Sequence, residues 1–200
     1  MFICRFRQEK QDKEATMDNI DTGNINIQDD IGQSWQEIVN LISEISAIPA
    51  TLIMRLHKQE LEVFTRCHCP NNPYTAKERE LLGFGLYCEA VINGKKELII
   101  NNALSDPQWC NNPDIKLGMV AYFGMPLHWP NGDIFGTICM LDNQPQQFDN
   151  PTKQLLRRFH NIIETDLNKV YQQAQLVGEN KELLQRLDDA KSEFKKLQQQ

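Results

Sequence analysis

The sequence predicts an α+β fold: an antiparallel sheet of five or six strands with flanking helices and a long C-terminal helix. Three observations lead to this prediction. Hydrophobic residues recur at helical spacing after Ser34, alternating apolar segments flank short polar turns, and residues 152–200 contain no proline and one glycine, Gly178. Helical spacing buries one stripe of a helix and alternation buries one face of a strand, so these segments need a shared core.

The first helix is expected after the capping-box pattern Ser34–Glu37, and Pro49 ends it. Alternation then predicts strands over 52–56 and 61–67, joined by a polar turn. A second capping-box pattern, Thr75–Glu78, predicts another helix toward Leu82.

The strongest local signal is a β-hairpin. Apolar residues alternate from Phe123 to Trp129 and again from Phe135 to Leu141, with Asn131 and Gly132 between them. Asn-Gly readily adopts the positive φ angles of a two-residue turn. The sequence therefore predicts that Asn131 and Gly132 are the turn residues.

The composition is that of an ordinary globular protein. Its 200 residues are 40% hydrophobic and 24% charged, which excludes a fully disordered or fibrous chain. The net charge of −6 disfavours binding to nucleic-acid phosphates. No apolar run approaches the roughly 18 residues that span a bilayer, and the apolar stretch before Arg5 is too short for a signal peptide. We expect a cytoplasmic protein without direct membrane insertion.

Three segments follow from these patterns. Residues 1–32 lack hydrophobic periodicity and are predicted to be a flexible tail, in which Met17 is an alternative start. Residues 33–165 form the globular domain, and residues 166–200 form a coiled-coil helix. Its apolar seam has two series with a register shift between them, at Val177–Asn180. The series are Ile163, Leu167, Val170, Ala174, Val177 and then Asn180, Leu183, Leu187, Ala190, Phe194, Leu197.

This seam predicts a homodimer through the N- and C-terminal helices. A helix of ~50 residues is ~75 Å long, more than a domain of this size can cover. The alternative for its second half is an amphipathic helix folded back on the domain.

Four ordered segments resemble the GAF family, sensory modules related in fold to PAS domains. The segments are Tyr87–Ile92, Leu98–Pro113, Tyr122–Leu127 and Gly132–Asp142. The resemblance implies a cytoplasmic sensor of a small molecule. Such domains often precede a coiled coil and a GGDEF diguanylate cyclase or histidine kinase domain, so we expect an output domain outside this sequence.

The loop over residues 103–119 is the expected lid of a ligand pocket under a concave sheet. The predicted ligand-binding residues are Cys88, Asp106, Trp109, Met119, Tyr122 and Phe123. Ordinary core packing is the alternative for the aromatic residues. The ligand and any cofactor stay unidentified from the sequence.

A GAF-fold enzyme, free methionine-R-sulfoxide reductase, is the alternative function. Its "GVCGTAV" segment resembles Leu86–Val91, which places Cys88 at a catalytic-type position. Glu89 replaces a glycine there, and a neighbouring carboxylate is expected to disfavour a thiolate. No catalytic residue is assigned to this chain. The six cysteines are expected to be free thiols, and Cys67-His68-Cys69 is expected to bind no metal.

Overall fold

The computed structural model describes residues 21–198. Its six strands form one sheet in which every neighbouring pair is antiparallel. The strands are β1 Ala50–His57, β2 Glu60–Arg66, β3 Arg79–Leu81, β4 Leu98–Ile100, β5 Ala121–His128 and β6 Ile134–Asp142. Their order across the sheet is β3-β2-β1-β6-β5-β4. The predicted α+β class with an antiparallel sheet is confirmed.

Three α-helices accompany the sheet in the described residues: α1 Asp29–Ser46, α2 Tyr87–Gly94 and α3 Asn150–Leu197. Helix α1 begins at Asp29 rather than at the capping box of Ser34, because Asp29 and Asp30 supply the acidic first turn that a helix N-terminus favours. The predicted tail covers residues 1–32, and its first 20 residues lie outside the described part of the chain. A short 3-10 turn, Thr22–Asn24, precedes α1.

Residues 26–167 form one compact unit. One face of its sheet, here called the helical face, carries α1 and the first part of α3. Trp35 of α1 is fully buried, with its ring 5.6 Å from the rings of both Phe64 and Phe135. Its indole Nε1 donates to Asp166 of α3 at 3.2 Å. The two helices therefore meet over the same face.

Helix α2 covers the opposite face, here called the thiol face. Apolar side chains of α2 pack in one buried cluster with residues of the central strands and of the loop before β5. The cluster includes Leu52, Tyr87, Cys88, Val91, Met119, Tyr122, Cys139 and Leu141. Alternate residues of a strand point to opposite faces, so this face takes Thr137, Cys139 and Leu141 from β6.

The β5–β6 hairpin is present, but its turn differs from the prediction. Gly132 N–H donates to the carbonyl of Trp129 at 2.9 Å, so Pro130 and Asn131 are the central turn residues. Gly132 follows in the left-handed region at φ +87°, which glycine adopts without strain. Proline favours the first central position of such a turn.

A β-bulge follows this turn. Leu127 pairs with Gly136 and His128 with Ile134, so Phe135 is an extra residue on β6. The bulge turns Phe135 to the helical face, where its ring contacts Trp129 at 5.4 Å. Strict alternation would have placed Phe135 on the thiol face with Thr137.

The helix predicted after Thr75 is wrong, since the chain there forms β3 at the sheet edge. Glu60 pairs with Leu81, and Val63 N–H donates to the carbonyl of Glu78 at 2.9 Å. Pairing with β2 overrides a capping pattern of four residues, and Gly83 lies too close for a helix to continue.

Residues 21–25 and 168–198, as far as they are described, belong to a second unit. Its helical part is the remainder of α3. Seven large hydrophobic residues of this part are 51–65% exposed: Leu176, Val177, Leu183, Leu184, Leu187, Phe194 and Leu197. Within residues 21–198, no helix has the length and apolarity needed to cross a membrane.

Candidate functional site

Four polar side chains meet inside the thiol face. The sulfur of Cys88 lies 3.4 Å from Tyr122 Oη and 3.8 Å from the sulfur of Cys139. Thr137 Oγ1 donates to the same Cys88 sulfur at 3.3 Å. All four residues are buried. The cluster is therefore a small polar centre inside an otherwise apolar layer.

Local structure explains how these groups come together. Cys88 is in the first turn of α2, and Thr137 and Cys139 are two residues apart on β6, so they share one face. Tyr122 lies along β5 over Gly124. A methyl group at Gly124 would overlap the Tyr122 phenol ring. The absence of a side chain at Gly124 therefore leaves room for this ring.

The two thiols of the cluster have opposite electrostatic environments. Hydrogen bonding from Cys139, and then from Thr137 and Tyr122, lowers the pKa of Cys88 despite its burial. Burial, together with the hydrogen bond to Cys88, raises the pKa of Cys139 well above its usual value. Hydrogen bonds to the charged form favour that form. Cys88 is therefore the thiol that is better prepared to lose its proton.

The sequence predicts that the Glu89 carboxylate disfavours a thiolate at Cys88, but in the structure this carboxylate bonds to another part of the chain. The Glu89 carboxylate accepts hydrogen bonds from the backbone N–H groups of Gly83, Phe84 and Gly85 at 3.0–3.3 Å. Glu89 thus organises the loop before α2, while Cys88 is controlled by groups on the sheet.

A second buried carboxyl, Asp114, links the lid loop to its neighbours. Tyr74 Oη donates to Asp114 at 2.8 Å, and burial raises the pKa of Asp114 from 3.8 to about 6. Beside it, Asn112 caps the 3-10 turn Pro113–Leu117 and donates to the carbonyl of Gly85 at 2.7 Å. The lid loop and the loop before α2 are therefore tied together by side-chain hydrogen bonds.

The structure brings three of the six predicted ligand-binding residues into this buried layer: Cys88, Met119 and Tyr122. Trp109 packs against its edge, 5.6 Å from the ring of Tyr87. Asp106 lies in the lid loop and accepts the backbone N–H of Gln108, which closes a local turn.

Phe123 lies apart from the other five and is a correction to the predicted set. It follows Tyr122 on β5, so its side chain points to the helical face, where its ring packs 5.7 Å from that of Phe148. Phe123 is therefore a core residue of the opposite layer.

Sequence reasoning missed Thr137, Cys139 and Asp114 as members of the site. Alternation along β6 predicts that Thr137 and Cys139 lie on one face of the sheet. From this pattern, both residues could have been considered as neighbours of Cys88. Near Cys67, the thiol donates to the carbonyl of Pro49 and His68 is exposed. Among residues 21–198, no three His, Cys, Asp or Glu side chains are grouped to hold a metal ion.

The fold is an α+β module with one antiparallel sheet and a buried layer that contains polar groups on its thiol face. The family model of the GAF domain matches residues 30–167, and the chain belongs to the GAF family. No curated protein matches the chain significantly in sequence.

Solved structures similar to this chain include domains of several kinds. The GAF domain of an Acinetobacter phosphoenolpyruvate-protein phosphotransferase is 16% identical, with a TM-score of 0.55 over 74% of this chain and 86% of that one. The blue-light-absorbing GAF domain of Thermosynechococcus elongatus PixJ is 12% identical, with a TM-score of 0.60 over 77% and 96%. Free methionine-R-sulfoxide reductase from Neisseria meningitidis, solved with its substrate, is 14% identical, with a TM-score of 0.58 over 72% and 81%.

Proposed function

We propose that this GAF domain senses a small molecule on its thiol face and relays the signal through α3 to an output domain, a diguanylate cyclase or histidine kinase. One observation carries the proposal: β5 contributes to the site on one face and bonds to α3 on the other. Tyr122 lies in the site, and four residues along β5 the carbonyl of Pro126 lies 2.7 Å from His160 Nε2 of α3.

A second contact joins the end of β5 to the same helix. The Glu164 carboxylate of α3 accepts the backbone N–H of His128 at 3.1 Å and lies 3.0 Å from its ring Nδ1. A ligand that displaces Tyr122 would shift β5, and these bonds would carry the shift to α3. A ligand changes such an equilibrium only by its different affinity for the two states.

The exposed apolar residues of α3 support the proposal that the chain acts on its output domain as a homodimer. Seam residues such as Leu183 and Leu187 are 60% and 51% exposed in the single chain. Coiled-coil pairing would remove this apolar surface from water. We also propose that the protein is cytoplasmic and that it binds no nucleic acid.

The dimer proposal is tested by two matched substitutions. Leu187→Lys places a charge in the seam, whereas Leu184→Lys makes the same change beside it. Light scattering across micromolar concentrations should show dissociation for Leu187→Lys and a weaker effect for Leu184→Lys. A wild-type chain that stays monomeric throughout would refute the dimer.

The sensing proposal is tested by native mass spectrometry of the protein purified from cells. A bound molecule should appear as a mass adduct, and Gly124→Leu, which crowds Tyr122, should reduce its occupancy. An adduct with equal occupancy in both proteins would place the ligand elsewhere. If neither protein carries an adduct after incubation with cell metabolites, the sensing proposal fails.

The environment of Cys88 favours a second candidate, a reductase of free methionine sulfoxide. Its lowered pKa suits a nucleophilic thiol, and two of the similar structures are such reductases. Thiol-dependent loss of free methionine sulfoxide, absent in Cys88→Ser, would support it. No loss above the Cys88→Ser background would exclude it.

A further inference from the structure

Two cysteines from separate elements lie close together inside the thiol face. The sulfurs of Cys88 on α2 and Cys139 on β6 are 3.8 Å apart, and both thiols are free. Fifty-one positions separate them in the sequence, so only the fold brings them into contact. They form a dithiol whose members are held by different parts of the domain.

The surroundings divide the roles of the two sulfurs. Three neighbours hydrogen bond to Cys88: Thr137, Tyr122 and Cys139 itself. The same bonds lower the pKa of Cys88, while burial raises that of Cys139. A thiolate is the nucleophile in thiol oxidation, so Cys88 suits the attacking role and Cys139 the resolving one.

We propose that Cys88 and Cys139 form a reversible redox switch, which a small hydroperoxide oxidises to an internal disulfide. The Cys88 thiolate attacks one peroxide oxygen, the O–O bond breaks, and the other oxygen leaves as hydroxide and takes a proton to become water. Cys88 is then a sulfenic acid. The sulfur of Cys139 attacks it, an S–S bond forms, and the S–O bond breaks. The departing hydroxide takes the Cys139 proton and leaves as a second water. The dithiol loses two electrons and the peroxide gains them.

Burial selects the oxidant. Cys88 and Cys139 are only 8% and 0% exposed. Hydrogen peroxide is close to water in size, whereas a disulfide such as oxidised glutathione must bring one of its sulfurs into line with the attacking Cys88 thiolate. We expect the peroxide to react much faster than the disulfide reagent.

Oxidation would also move structural elements. A disulfide has an S–S distance of about 2.05 Å, so the two sulfurs must approach from 3.8 Å. Cys88 lies one residue before Glu89, whose carboxylate holds the loop at residues 83–85. Drawing α2 toward β6 would therefore also pull on this loop. This switch requires no bound small molecule and does not rest on the proposed sensing function.

The test uses the purified chain, reduced and then freed of reductant, and exposed to hydrogen peroxide. Tryptic peptides separate the cysteines well: Cys88 lies in 80–95, Cys110 in 97–116 and Cys139 in 117–153, while Cys67 and Cys69 share 67–77. Under non-reducing conditions we expect a cross-linked pair of peptides 80–95 and 117–153, which dithiothreitol separates again. Peroxide treatment that leaves Cys88 and Cys139 unlinked, or links either to another cysteine, overturns the proposal.

Three variants sharpen the result. The double variant Cys67→Ser/Cys69→Ser should leave the cross-link unchanged. Cys139→Ala should stop at a sulfenic acid on Cys88, detected by a sulfenic-acid probe. Thr137→Val keeps the shape but removes one donor, so cross-linking should slow several-fold at unchanged pH. Equal rates in Thr137→Val and wild type would contradict the assigned role of Cys88. A cross-link without methionine sulfoxide loss would reject the reductase and leave the redox switch standing.

Discussion

The two faces of the sheet are covered in different ways. The helical face is closed by two long helices over an aromatic cluster of Trp35, Phe64 and Phe135. The thiol face is covered by the short helix α2 and by loops, which buried polar side chains such as Glu89 and Asp114 hold in place. Apolar packing resists change as a whole, whereas individual hydrogen bonds can be exchanged one at a time. Both faces bury apolar side chains, but the loops of the thiol face depend on individual hydrogen bonds, and we therefore propose that this face responds to the signal.

The largest expected effect tests the helical face. Trp35→Ala removes the centre of the aromatic cluster and the bond to Asp166, and should lower the free energy of unfolding by about 3–5 kcal/mol. Urea unfolding measures it. Leu184→Ala, on an exposed side chain, should change little. Comparable losses in both variants would contradict this expectation.

The next effect concerns Asp114 on the thiol face. Its folded pKa of about 6 lies above the ordinary 3.8, so between these pH values the folded state keeps a proton that the unfolded state has lost. The resulting stabilisation is full below about pH 3 and is lost as the pH rises through 6. Asp114→Asn should therefore gain about 3 kcal/mol relative to wild type between about pH 3 and pH 7. A difference in unfolding free energy that is constant with pH would contradict the burial of a protonated carboxyl.

A smaller effect is expected at Glu89. Glu89→Ala removes the acceptor of three backbone N–H groups and should cost about 2 kcal/mol. Glu89→Gln keeps one acceptor oxygen and should recover part of the loss. Hydrogen exchange should speed up at residues 83–85 and stay unchanged in α1. Equal acceleration in α1 would mean that the two faces do not differ as described.

The smallest effect lies in the part of α3 that belongs to the second unit. Gly178 has open space where a side chain would be, so Gly178→Ala should stabilise the helix by about 1 kcal/mol. Thermal unfolding followed by circular dichroism measures the change. In a chain that carries the proposed output domain, the same variant tests whether Gly178 is a joint between two helical registers. Unchanged output and unchanged response to stimulus would make this part of α3 a passive spacer.

Local patterns predicted the sheet and its long helix well, because hydrophobic alternation and helical spacing record which side chains are buried. They failed where pairing between distant segments decides the structure, as at β3, which pairs with β2 despite a helix-start pattern at Thr75. The bulge at Phe135 likewise depends on the partner strand.

The site was predictable in part. Cys88 and Tyr122 follow from motifs that resemble the family, and Met119 follows from its place in the predicted lid loop. Phe123 could have been excluded because neighbouring strand residues point to opposite faces. The contact between Cys88 and Cys139 depends on how α2 lies across β6, and no local pattern contains that geometry.

The sheet ends in two very short strands, β3 and β4, each of three residues. A free edge is a template on which another chain can extend a sheet, and short, charged edges offer poor templates. Arg79 and Glu80 occupy two of the three positions of β3. Copies of this domain are thus discouraged from extending the sheet at β3. The proposed dimer therefore has its contact in the helices and none at the β3 edge.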